Sequence, residues 1–146
     1  MARNYTVSTR IKRPVEEVFK ALVSADQQVR YFTDRSSGDL QEGQVVTWFW
    51  QQWGENQVAV VEVIPHRRIV LSIDSVEWEK TVDDSYEVRI VFELEALEDG
   101  STRLSISEQG WKQDAAGIKA SHQNCEGWTH MCACLKAYLE HGIDLR

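Results

Sequence analysis

The residues best equipped for chemistry lie in two places near the C-terminus. One is the segment 127–142, GWTHMCACLKAYLEHG, which holds His130, Cys132, Cys134 and His141. Thiolate and imidazole are ordinary zinc ligands, and a thiol beside a cationic group is the usual reactive arrangement. The other is Glu108, in TRLSISEQ (102–109), where it shares a strand face with Leu104 and Ile106. A carboxylate on an apolar face is costly unless it is paired or faces a wet cavity. Enclosure raises its pKa toward the range of an acid/base group or ligand anchor. The alternative is a frayed strand end, with Glu108 in solvent at a cavity mouth.

Helical geometry argues against a metal site. Cys132 and Cys134 are two residues apart, so on a helix they diverge and cannot bridge. His130 and Cys134 have ligand-compatible spacing, but His141 lies about 10 Å beyond Cys134 at 1.5 Å rise per residue. One ion cannot bind all three. That face also carries Glu126, with Lys136 and Glu140 on its flank, and reads as the wet side. Cys125 and Cys132 read as small core residues. The opposite arc of Trp128, Cys132, Leu135 and Leu139, flanked by Met131 and Tyr138, is apolar at helical spacing. It is expected to face a sheet, either as pure packing or in part as a pocket wall.

The elements that must position these groups are legible from periodicity. Residues 5–11 alternate as a strand, and Pro14 opens a helix with Val15, Val18, Phe19 and Leu22 on one side. Ser24-Ala25-Asp26 marks a break and a second short helix to about Tyr31-Phe32. Strands follow over 45–53, 57–64, 68–74, 85–97 and 102–109, with turns expected at 54–56 and 98–100. Residues 110–119 read as irregular or as an early helix, and a long helix runs from about Ser121 to His141. Trp48 and Trp50 share one strand face, where they either fill the interior or line it. Val88, Ile90, Phe92 and Leu94 share another, while Arg89 falls on a mixed outer face. Glu62 shares a face with Val58, Val60 and Ile64 and could pair with Arg68.

The composition fits a single globular domain spanning 1–146, with 42% hydrophobic and 27% charged residues. A net charge of −7 argues against nucleic acid or an anionic membrane as partner. There is no apolar run long enough to span a membrane and no secretory leader. Three cysteines, an odd number, suit reduced thiols in the cytoplasm. There is no Gly-x-Ser-x-Gly elbow, no phosphate-cradling glycine loop and no histidine cluster, so no catalytic residue, metal or cofactor is assigned.

The order strand, two helices, strand run, long helix is that of an α+β fold. With its local sequence it resembles the helix-grip START/Bet v 1-like (SRPBCC) superfamily, and within it the family of the C-terminal domain of the heat-shock-protein-90 ATPase activator. IKRPVEEVFKALVSADQQVRYF resembles that family's opening Pro-x-x-x-Val-Phe helix pair. GDLQEGQVV, VVEVIPHRRIVLSI, STRLSISEQGW and GWTHMCACLKAYLEHG are similar to its glycine-punctuated approach to the sheet, its strand pair, its closing strand and its last helix. The resemblance implies a curved antiparallel sheet of six to seven strands wrapped on the C-terminal helix, with a cavity between. Its members bind lipids, sterols or polyketides there. On that basis Trp48, Trp50, Phe92, Trp128, Cys132 and Leu135 are expected to wall a hydrophobic-ligand site, with Glu108 as polar anchor. The alternatives are an interaction module acting on a chaperone, and a cyclase- or hydrolase-like enzyme using Glu108 with a His or Tyr. A monomer or weak homodimer is expected.

Overall fold

The computed structural model describes residues 2–146. Its elements in chain order are β1 (Arg3–Ile11), α1 (Val15–Val23), α2 (Ala25–Gln28), β2 (Arg35–Ser36), β3 (Val45–Trp50), β4 (Gly54–Ile64), β5 (Arg68–Asp74), α3 (Ser75–Trp78), β6 (Glu87–Ala96), β7 (Thr102–Gln109) and α4 (Ala115–His141). The seven strands form one sheet in the order β1-β7-β6-β5-β4-β3-β2, every neighbouring pair antiparallel. The helix-grip α+β architecture expected from the sequence is therefore present.

The opening helix pair forms where the sequence places it. Pro14 takes the N-cap position of α1, whose buried residues are Val18, Ala21 and Leu22. Ser24 ends α1, and its hydroxyl accepts the Gln27 N–H at 3.4 Å to cap α2. Buried Gln28 then joins the helices to the sheet, donating to Leu22 O and accepting from Trp48 Nε1 at 3.1 Å.

Several expectations need correction. The β3–β4 turn is at 51–53, not 54–56: Trp50 pairs with Gly54, which takes the left-handed conformation that closes a three-residue loop. Trp53 therefore stands on the hairpin tip, 69% exposed. A bulge between Val60 and Glu62 reverses the facing of β4 beyond it. Val63, not Glu62, packs on the core, and Glu62 joins Arg68 at 3.0 Å on the outer face. Helix α3 was not foreseen; it forms because the Asp74 carboxylate caps the N–H groups of Val76 and Glu77.

Helix α4 begins about six residues earlier than its periodicity suggests. Asp114 caps it through the Gly117 N–H at 2.8 Å. At the far end Gly142 adopts the left-handed conformation and the Arg13 guanidinium donates to the carbonyls of Leu139 and Glu140. Among the described residues no helix is long and apolar enough to cross a membrane.

The two glycines inside α4 have opposite surroundings. A Cβ on Gly117 would lie 2.0 Å from Lys112 O, whereas one on exposed Gly127 would meet nothing within 4 Å. Gly117→Ala is expected to destabilise the fold by about 3 kcal/mol. Gly127→Ala is expected to stabilise it by about 0.5–1 kcal/mol, since a helix interior favours alanine. Urea midpoints of the two variants check this, and equal shifts would contradict the packing at 117.

Candidate functional site

The site is built around Glu108. It lies next to the end of β7 on the inner face, with 0% exposure, so the strand does not fray and the carboxylate does not reach solvent. Its register neighbours are Tyr5 on β1 and Ile90 on β6. One carboxylate oxygen accepts from Trp111 Nε1 at 2.7 Å, the other from Trp128 Nε1 at 2.8 Å.

Each indole arrives by a specific local device. Trp111 is only three residues from Glu108, so the chain must double back. Gly110 permits this with φ of +116°, in a place where a Cβ would sit 2.7 Å from Glu87 O. Asn4 then pins the turned backbone, donating to Trp111 O at 3.1 Å and accepting from Trp111 N at 3.0 Å. Trp128 comes from the phase of α4, on the arc that also buries Met131, Cys132 and Leu135.

The electrostatics are unusual for a carboxylate. Burial pushes the Glu108 pKa up to about 7, against the pull of the surrounding donors, and the charge of Glu79 raises it further. Tyr5 Oη is shielded beside Glu108 without a well-formed hydrogen bond, and burial first, then the neighbouring carboxylate, holds its proton on. Glu79, just beyond α3, is half-buried and also raised by burial. It accepts from Asn124 Nδ2 at 2.8 Å, while Asn124 Oδ1 accepts from Trp78 Nε1 at 2.5 Å. Trp78 and Glu79 are thereby latched to α4 over the Glu108 side of the interior.

Next to this polar centre the interior is filled with rings. Phe32 is the hub, with centroids at 5.0 Å from Trp48, 5.1 Å from Trp50 and 5.6 Å from Trp128. Phe92 meets Trp128 edge-on at 5.4 Å, and Trp78 meets Trp48 and Trp50 at 6.2 and 6.3 Å. Of the residues expected to wall a ligand site, Trp48, Phe92, Trp128, Cys132 and Leu135 are buried and Trp50 half-buried, all in one apolar cluster. Two surface depressions of about 470 and 460 Å³ are present, and none of Phe32, Trp48, Trp50, Phe92 and Trp128 lines them.

Sequence reasoning missed Tyr5, Phe32, Glu79, Trp111 and Asn124. Tyr5 was legible only as a strand residue, and Trp111 only as one of six tryptophans; the signal that could have found Trp111 was Gly110 beside it. Cys134 also needs correction. It is buried, not on a wet face, with its sulfur 3.5 Å from His130 Nε2 and the C-terminal residues close by. Among the described residues no cluster of three metal-ligating side chains exists.

The raised pKa of Glu108 makes folding pH-dependent. The unfolded chain releases this proton near 4.5 and the folded chain near 7. The folded state thus binds more protons between those values, and stability falls as pH rises. At about 1.4 kcal/mol per tenfold change in proton affinity, the loss is about 3 kcal/mol. Denaturation followed from pH 5 to 8, above the range in which the lowered carboxylates Asp74, Glu87, Asp99, Glu140 and Asp144 act with the opposite sign, should show this decline, and Glu108→Gln should remove most of it, leaving the smaller contribution of Glu79. An unchanged slope in Glu108→Gln would refute the assignment.

No functionally curated protein matches this chain. Among solved structures, protein SSP2350 from Staphylococcus saprophyticus is 25% identical, with a TM-score of 0.75 over 97% of this chain and 96% of that one. The Aha1 dimer from Colwellia psychrerythraea is 20% identical, with a TM-score of 0.78 over 97% and 98%. DynU16, from the dynemicin biosynthetic locus, is 18% identical with a TM-score of 0.78; the match covers 94% of this chain but 47% of that one. The family model described as "Activator of Hsp90 ATPase homolog 1-like protein" matches residues 12–140, and the chain belongs to that family.

Proposed function

We propose that this protein binds a small hydrophobic ligand, lipid-, sterol- or polyketide-like, between the sheet and α4. The observation that carries this reading is how the interior is filled. The backbone of α4 runs close to β1. Opposite β3 and β6 the space is occupied by the rings of Phe32, Trp48, Trp50, Phe92 and Trp128. Rings can swing aside by rotating one or two torsions, which backbone ladders cannot, and apolar rings with a few polar groups are the usual lining of ligand sites. Trp48, Trp50, Phe92, Trp128, Cys132 and Leu135 would form the walls, with Glu108 as the polar anchor. The similarity to DynU16, a protein of a biosynthetic locus, supports a small-molecule role. Three free thiols fit a reducing, cytoplasmic setting.

A second reading is favoured by a different observation: the interior is packed, and the family is described by activation of the Hsp90 ATPase. On this reading the chain is a chaperone-interaction module, working as a monomer or as a weak homodimer; the Colwellia protein is a dimer.

Intrinsic tryptophan emission separates the two. Ligand binding requires a saturable change with a fatty acid, sterol or polyaromatic probe. Leu135→Trp, which fills the interior, should weaken it by about tenfold with the fold retained by circular dichroism. No saturable response to any such probe, together with stimulation of Hsp90 ATPase turnover by the protein, would replace the first reading with the second.

A further inference from the structure

We propose that the interior takes a hydrophobic amine: a ligand whose apolar body lies among Phe32, Phe92 and Trp128 and whose cationic nitrogen sits between Glu108 and Glu79, beside the Tyr5 hydroxyl. This rests on the hydrophobic-ligand reading and narrows its chemical class.

Four features point the same way. First, Glu108 and Glu79 approach closely enough to interact electrostatically, and among the described residues neither forms an ion pair with Lys, Arg or His. Second, a carboxylate offers about four acceptor sites. The two indole N–H groups take one on each oxygen of Glu108, which leaves acceptor capacity for an ammonium donor or for contact with a quaternary nitrogen. Third, Tyr5 Oη is shielded from solvent and unpartnered directly across the β1–β7 ladder from Glu108. Its lone pairs can receive an N–H, or its own O–H can steady the carboxylate. Fourth, the indoles of Trp78, Trp111 and Trp128 gather around this centre, bonded to Asn124 or to Glu108. Their N–H edges hold the carboxylate and the amide in place, so the charge offered to a ligand cation is fixed within the fold.

The same groups discriminate against other ligands. A fatty carboxylate would bring a third negative charge beside two others, and a neutral alcohol gains one O–H donation but no charge attraction from the pair. Burying a cation is costly by itself, but here it meets a counter-charge already desolvated in the fold. Half-exposed Glu79, latched to Asn124, places the outer carboxylate on the solvent side of Glu108. The titratable groups that act on Glu108 are Tyr5 from β1 and Glu79; Cys125 of α4 faces Tyr5, and Lys119 of α4 faces Glu79 and opposes the effect there.

The test compares dodecyltrimethylammonium, dodecanol and dodecanoate, each below its micelle concentration, by tryptophan fluorescence at physiological ionic strength. The cation should bind at least about tenfold tighter than the alcohol at pH 8, and dodecanoate weakest. That margin should shrink as pH falls through 7, because protonation removes the charge that attracts the cation. Glu108→Gln should abolish the margin while retaining dodecanol binding. Glu79→Gln, at a half-exposed position, should reduce it in a protein whose fold is not at risk. The Glu108 carboxyl resonance, followed by NMR in the unmutated protein, should titrate at lower pH with the cation bound. Equal affinity for cation and alcohol would overturn the proposal, and so would a cation preference that survives both substitutions and disappears at high salt, which would mean adsorption to the acidic surface. Dodecanol binding without a cation preference would leave the hydrophobic-ligand reading standing, and failure of all three probes would remove both.

Discussion

A carboxylate with no access to water must be solvated by the protein, and much of this fold is arranged around that requirement at Glu108. Left bare, the group would cost several kcal/mol. Two indole N–H groups meet it, one from three residues later in the chain and one from twenty residues later, on α4. Bringing Trp111 back needs Gly110 in a conformation other residues avoid, and holding it there needs both hydrogen bonds of Asn4. Bringing Trp128 down needs α4 to lie across the sheet in one rotational phase. The cap at Asp114, the Gly117 contact with Lys112 and the Arg13 clamp on the last turn fix that helix at both ends.

The apolar interior is shaped by the same placement. Trp128 is shared: its N–H serves Glu108, and its ring meets Phe32 and Phe92. Phe32 in turn carries the contact to Trp48 and Trp50, whose own N–H groups are satisfied by Gln28 and by the Phe32 carbonyl. Every indole N–H in this interior therefore has an acceptor, and the rings are held by polar tips at their edges.

How much of this was legible depended on the range of the interaction. The strand faces of β6 and β7, the α1–α2 break at Ser24 and the apolar arc of α4 follow from periods of two and 3.6, which are properties of neighbouring residues. The clustering of Trp48, Trp128, Cys132 and Leu135 followed once those faces were opposed. The details that failed are set by one residue against a distant partner. Nothing in QVAVVEVI announces the bulge that turns Glu62 outward, because the bulge depends on pairing with β5. Cys134 reads as polar-face by helical phase, yet it is buried in the core cluster, with Asp144 and Arg146 close by. Glu108 could be suspected from its strand face, but whether it was frayed or enclosed depended on Tyr5, more than a hundred residues away. Phe32 and Glu79 lie outside regular elements, where periodicity carries no information.

The buried carboxylate is hard to explain by stability. An apolar residue of similar size at position 108, with the indoles turned to other acceptors, would avoid a desolvation cost that the two N–H bonds only partly offset, and replacing buried charges with packed hydrophobes is often neutral or stabilising. The cost also grows toward neutral pH, where Glu108 begins to ionise. Glu79 worsens it, since a second acid nearby makes the first harder to charge. A core built only to hold the sheet to the helix has no use for either group. A site that must recognise a polar feature on an otherwise greasy molecule does, because only a group already stripped of water interacts strongly with its partner. On the proposed reading, the cost of keeping Glu108 inside and the selection of a ligand are two consequences of one placement.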